Sequence, residues 1–173
     1  MKPRAGWKLA VAVLFFSCLA IAQQTAKLSI SGAGIHPLEV TRADLAKMPR
    51  LAVDVKDPHS GQARHYEGVR LSDLLNKTGV PLGDKLKGSA LATYVLARAT
   101  DGYAVVFSLA ELDPAMNDNQ IMVADTVGGK PLDDHEGPFR VVVPGEKRPA
   151  RWIRMVTSFE VVSALSPSGS SPR

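Results

Sequence analysis

Cysteine is nearly missing from this chain: Cys18 is the only one among 173 residues. It falls in an N-terminal stretch with the layout of a cleavable export signal. Lys2, Arg4 and Lys8 make a positive start, Leu9 to Ile21 is uncharged and apolar, and Ala20 and Ala22 place small residues before a cut at Gln23. The apolar run is shorter than the roughly 20 residues a stable membrane span requires. Lipid attachment at Cys18 is the other way to read the segment, but Phe15 and Phe16 are bulky for such a signal. With residues 1–22 removed, the chain holds no thiol. Disulfides, thiolate nucleophiles and thiolate metal ligands are then excluded. The expected location is periplasmic or secreted, where a domain without thiols must be stable on its core alone.

A strong charge of either sign is missing as well. Three of the 21 Lys and Arg leave with the signal and none of the 17 acidic residues do, so 18 basic side chains face 17 acidic ones, a net of +1. No run of five like charges occurs. A nucleic-acid partner is therefore not expected. The four histidines, His36, His59, His65 and His135, never fall at helical i, i+4 spacing or on one alternating strand, so no metal is expected from them. Asp113, Asn117, Asp118 and Asn119 hint at a calcium loop but lack its glycine and distal glutamate. His59-Ser60-Gly61 is the nearest approach to a nucleophile elbow, and turn formation accounts for it.

What is present reads as alternating strands with short helices between them. Leu28–Ser31 opens as a strand. Thr41 caps a short helix that Pro49 stops, and residues 51–66 read as a hairpin. Leu71, Leu74 and Leu75 share one face of a second helix that Gly79 ends. Strands over 91–98 and 103–107 flank the turn Asp101-Gly102, and Ser108 with Glu111 makes a capping box. Strands over 120–126 and 139–143 surround Gly128-Gly129, and a long final strand spans 152–162. Residues 23–165 form one α+β domain, mostly β with a mixed sheet and short peripheral helices; residues 166–173 are a disordered tail.

The densest chemistry lies in residues 133–152. Strand alternation puts Phe139, Val141 and Val143 on one face, and Arg140 with Val142 on the other. Lys147, Arg148 and Arg151 follow within a turn and the returning strand. Those cations can converge on a small oxyanion. Equally, Asp133, Asp134 and Glu136 can pair with them at the surface. Residue chemistry leaves both open.

Five segments in register resemble the oxidoreductase molybdopterin-binding domain of the sulfite oxidase type, in particular its small, exported, single-domain members. Tyr66-Glu67-Gly68-Val69-Arg70-Leu71-Ser72-Asp73-Leu74-Leu75 resembles its "GV-x-L-x-x-LL" segment, and Asp101-Gly102-Tyr103 its Asp-Gly-Tyr turn. Gly129-Lys130-Pro131-Leu132 resembles "G-x-PL". The run from His135 to Gly145 resembles "H-G-x-P-x-R-x-x-x-P-G", and Arg151-Trp152 replaces a Lys-Trp pair. The resemblance implies a mixed β-sheet fold and molybdopterin as cofactor. It also implies a basic site comprising His135, Arg140 and Arg151, with Lys147 and Arg148 in the adjoining turn. Two departures bear on activity. The loop 53–59, where the family carries its metal-binding cysteine, has none, and His-Glu-Gly-Pro stands where the pattern has His-Gly-x-Pro. Asp57 and His59 lack the soft donation of a thiolate. The resemblance thus leads to a domain that binds a pterin-type cofactor or other small anion without oxygen-atom transfer. The alternatives are a non-catalytic module for an exported partner protein and a molybdoenzyme with a non-cysteine ligand.

Overall fold

Leu28 and Ile30 alternate with more exposed neighbours in the first strand, β1 (Lys27–Gly32), which commits one face of it to the core. A computed structural model describes residues 26–56 and 61–165. The expected signal, the tail, His59 and Ser60 lie outside them. β2 (Leu38–Thr41) returns antiparallel to β1 and runs into α1 (Arg42–Leu45). Thr41 and Asp44 form the reciprocal cap there: each side chain bonds the other residue's backbone N–H. β3 (Leu51–Lys56) and β4 (Ala63–Arg70) pair from Leu51↔Gly68 to Lys56↔Ala63, as the expected hairpin requires. α2 (Leu71–Thr78) buries Leu71, Leu74 and Leu75 and ends at Gly79, whose φ of 81° is left-handed.

The second half repeats this economy. β5 (Thr93–Ala99) and β6 (Ala104–Ser108) pair around Asp101-Gly102, and Ser108 caps α3 (Leu109–Leu112) together with Glu111. β7 (Met122–Val127) turns at Gly128-Gly129, with φ of 56° and 73°, into the two-residue β8 (Lys130–Pro131). β9 (Arg140–Val142) pairs with β7, and β10 (Val156–Ser163) closes the domain.

These strands form two sheets. One has the order β2-β1-β10-β5-β6 and is antiparallel except where β10 lies parallel to β1. The other has the order β3-β4-β7-β8, with β9 also on β7. A single core draws Leu28, Ile30, Val95, Phe107 and Phe159 from the first sheet and Val53, Tyr66, Val69, Val123 and Val141 from the second. Leu45, Leu74 and Leu109 of the helices join it, giving the mostly-β α+β mixed-sheet fold that the sequence indicates. No helix among the described residues is long and apolar enough to cross a membrane.

One expectation needs correction. The final strand does not begin at Trp152 but at Val156. Residues 149–151 form a 3-10 turn, and Met155 adopts a left-handed φ of 48°. That conformation costs a non-glycine residue about 1 kcal/mol, and tertiary hydrogen bonds hold it. Met155 N–H donates to the Glu136 carbonyl, and the Met155 carbonyl accepts from Thr100 N–H. Both faces of β9 are covered: Phe139, Val141 and Val142 are fully buried and Arg140 is only 9% exposed. Val141 N–H donates to the Ile153 carbonyl, and Val156 N–H to that of Phe139. The segment 152–156 therefore stitches β9 of one sheet to the start of β10 in the other.

Candidate functional site

Arg140 lies on that seam. Its strand pairs through Ala124↔Arg140, which turns the side chain toward β4. There Arg64 and Tyr66, two apart on one strand, share a face. Glu136 reaches the same point from the turn before β9. That turn is built by Asp133, whose carboxylate accepts the N–H groups of His135 and Glu136, both at 3.0 Å. Its carbonyl accepts Gly137 N–H at 2.7 Å. Gly137 has no room for a side chain: a Cβ would sit 2.9 Å from the Asp133 carbonyl oxygen and 3.0 Å from Leu132 Cβ.

The result is two guanidiniums on one carboxylate. Arg64 donates from both Nη atoms to the two Glu136 oxygens, at 2.6 and 2.9 Å. Arg140 Nη1 donates to Glu136 Oε1, and Tyr66 Oη lies 3.4 Å from Oε2. Aromatic rings floor the cluster. The Arg64 and Arg140 guanidiniums lie 5.0 and 5.5 Å from the Tyr66 centroid, and Arg140 lies 5.8 Å from that of Trp152. Tyr66 and Trp152 meet edge to face at 6.5 Å. Two donors in this dry cluster, Arg140 Nε and Trp152 Nε1, are buried and have no hydrogen-bond partner.

Arg151 belongs to a different network. It faces the first sheet, 4.9 Å over the Phe107 ring, and donates to Glu111 at 3.0 and 3.1 Å and to Glu146 at 2.6 Å. Burial alone would lower its pKa; the hydrogen bonds to Glu111 and Glu146 outweigh this and hold it above its ordinary value. Arg151 and Trp152 are thus neighbours in sequence whose side chains serve opposite sheets. Of the residues the sequence singled out, His135, Lys147 and Arg148 are exposed and their side chains touch no charged partner among the described residues. Arg140 and Arg151 are both ion-paired, but not as the surface pairing weighed in the sequence: Glu136 meets Arg140 in a buried cluster, and Arg151 pairs with Glu111 and Glu146. Asp133 instead serves the turn backbone. Sequence reasoning missed Arg64, which alternation with Tyr66 along β4 could have suggested.

A family model for the oxidoreductase molybdopterin-binding domain matches residues 17–169. The chain belongs to that family. Among its relatives is the NADH nitrate reductase of Ulva prolifera, 26% identical over a 159-residue alignment that covers 73% of this chain and 18% of the relative. Among solved structures, the sulfane dehydrogenase SoxCD of Paracoccus pantotrophus superposes with a TM-score of 0.62 at 24% identity, over 80% of this chain and 38% of that one. The likeness to SoxCD is one of fold, and the chain spans well under half the length of either protein.

The family name implies molybdopterin, and the residues fit that group only in part. For the metal half, the described residues offer no ligand set. Residues 19–173 contain no cysteine, and no group of three His, Cys, Asp or Glu able to hold a metal occurs among the described residues. Asp57 and His59, the alternative ligands, lie outside those residues. The oxyanion half has donors, Arg140 Nε and Trp152 Nε1, but the neighbouring guanidinium ends already hold carboxylates.

Proposed function

We propose that the chain is an exported member of the family that binds a small oxyanion, of the class a pterin phosphate represents, at the Arg140–Trp152 seam. It does so without thiolate-dependent oxygen-atom transfer. The observation that carries this reading is the pair of buried donors without partners, Arg140 Nε and Trp152 Nε1, on side chains that stack against each other. An unsatisfied buried donor costs about 1–3 kcal/mol. A ligand oxygen that accepts from either recovers that cost, and the positive Arg140 favours an anion over a neutral acceptor.

The test is calorimetric titration of the protein, purified after export from a molybdenum-cofactor-competent host, with inorganic phosphate and with a phosphomonoester. Molybdenum and pterin fluorescence are measured on the same sample. Binding weakened about tenfold by Trp152→Phe, and abolished by Arg140→Met, is expected, since a hydrogen bond to a charged group is worth roughly 1.5–3 kcal/mol. Affinity unchanged in both variants overturns the reading, and stoichiometric molybdenum overturns its non-catalytic part.

One observation favours a second reading, a binding module for an exported partner protein. Arg64, Arg140 and Arg151 are balanced by Glu136, Glu111 and Glu146, three charges of each sign. Of the cations the sequence singled out, those left for a partner are the exposed Lys147 and Arg148. A defined complex on size-exclusion chromatography, insensitive to Arg140→Met and lost with Lys147→Glu/Arg148→Glu, supports it.

A further inference from the structure

We infer that Glu136 is a built-in competitor for the oxyanion: its carboxylate fills the clamp between Arg64 and Arg140, and a dianionic ligand binds by displacing it. The inference rests on the oxyanion reading above and adds where the ligand's oxygens go and what opposes them. Glu136 also marks one of the two departures from the pattern the sequence resembles, standing where that pattern has glycine after the histidine.

The geometry of the clamp is that of anion recognition. Arg64 presents its two Nη atoms in parallel to two oxygens, at 2.6 and 2.9 Å, and Arg140 adds a donor from a separate strand. A phosphate or sulfate offers the same oxygen–oxygen edge as a carboxylate. Two guanidiniums converge on the single Glu136 carboxylate, and a ligand that takes its place meets both of them, which favours a dianion over a monoanion.

The surrounding turn makes displacement a side-chain event. The backbone of Glu136 is held on both sides, by Asp133 to its N–H and by Met155 N–H to its carbonyl. The turn therefore cannot carry the carboxylate away as a unit. The side chain is 12% exposed and lies beside exposed Asp134 and His135, so rotation about its own bonds brings it to water. Displacement from Arg64 and Arg140 exchanges one set of charge-assisted hydrogen bonds for another. Affinity in the unaltered protein is accordingly weak relative to what two arginines and two free donors can deliver.

Glu136→Gln removes the competing charge while keeping size and one acceptor. Isothermal titration in a non-coordinating buffer compares inorganic phosphate, sulfate, a phosphomonoester and acetate on the unaltered protein, Glu136→Gln and Glu136→Ala. Thermal melts confirm that each variant folds. The inference expects phosphate, sulfate and the phosphomonoester to bind Glu136→Gln or Glu136→Ala about tenfold or more tightly than the unaltered protein. Acetate should gain far less. A gain confined to the phosphomonoester assigns the site to esterified phosphate; an equal gain for inorganic ions assigns it to the free oxyanion. If every form binds phosphate equally and Arg140→Met abolishes binding, Glu136 is not a competitor although the oxyanion reading stands. If neither the unaltered protein nor the Glu136 variants bind any oxyanion, both fall.

Discussion

Glu136→Ala, taken with Arg140→Met, separates what the clamp does for stability from what it does for a ligand. Glu136 accepts three guanidinium hydrogen bonds, from Arg64 and Arg140, and its own side chain is only 12% exposed. Its removal leaves two unequal arginines. The Arg64 side chain, 28% exposed, can turn toward water, whereas that of Arg140, 11% exposed and wedged between Tyr66 and Trp152, cannot do so without leaving its rings. A buried charge stripped of its partner costs about 3–5 kcal/mol. For a domain of this size that is a fall in melting temperature of roughly 6–20 °C. Replacing both partners by apolar groups is nearly neutral in such cases. Glu136→Ala/Arg140→Met is therefore expected to be more stable than Glu136→Ala alone, with a coupling of about 2–3 kcal/mol. The assay is chemical and thermal unfolding of the four proteins of the cycle, with and without phosphate. Phosphate should restore part of the Glu136→Ala loss by mass action and none in the double variant. A Glu136→Ala protein that melts within about 1 °C of the unaltered one refutes the reasoning, because it would mean that Arg140 is not desolvated in this cluster.

Two further predictions probe the frame that holds the site. At Gly68 an added Cβ would lie 2.0 Å from the Val123 carbonyl oxygen and 2.7 Å from Ala124 Cα, at a register shift between β4 and β7. Gly68→Ala should then cost at least about 3 kcal/mol in urea unfolding, against about 1 kcal/mol for Gly102→Ala, which is strained by its φ of 85° but clashes with nothing. In α1 the hydrogen bonds of Thr41 hold the Asp44 carboxyl below its ordinary value of 3.8. A depressed pKa contributes stability that is present above 3.8 and is lost as pH falls through the lower folded value. Asp44→Asn should therefore fall short of the unaltered protein in melts above pH 3.8 and converge with it only as pH drops below that value and through the lower folded one.

Which parts of the molecule the sequence discloses follows from the range of the forces involved. The Thr41–Asp44 and Ser108–Glu111 caps, the Gly79 stop and the Leu71/Leu74/Leu75 face are legible because each is complete within a few residues. The start of β10 is not. Alternation from Trp152 to Val162 continues straight through Met155, whose left-handed backbone is fixed by Glu136 and Thr100, residues distant in sequence. The site divides the same way. Arg140 stands out as a charge within an apolar strand, but Arg64 lies 72 residues from Glu136 and only the pairing of both β4 and β9 with β7 brings them together.

The two arginine networks also decide what kind of selectivity the seam can have. A basic pocket attracts anions through its field at a distance, and salt weakens it. Here that field is cancelled at its source, since Glu136 stands between Arg64 and Arg140 while Glu111 and Glu146 hold Arg151. What remains is short-range: two donors, a pair of aromatic rings and a carboxylate that must turn aside. Recognition of that form discriminates by shape and by ligand charge at contact, so divalent oxyanions should be separated from monovalent ones by displacement of Glu136 rather than by steering. Phosphate binding to the unaltered protein should accordingly depend little on added sodium chloride. In Glu136→Gln, where the charge of the clamp is uncovered, the same titration should become salt-sensitive. Equal salt dependence in the two proteins would mean that Glu136 does not screen the arginines, and the short-range account would fail with it.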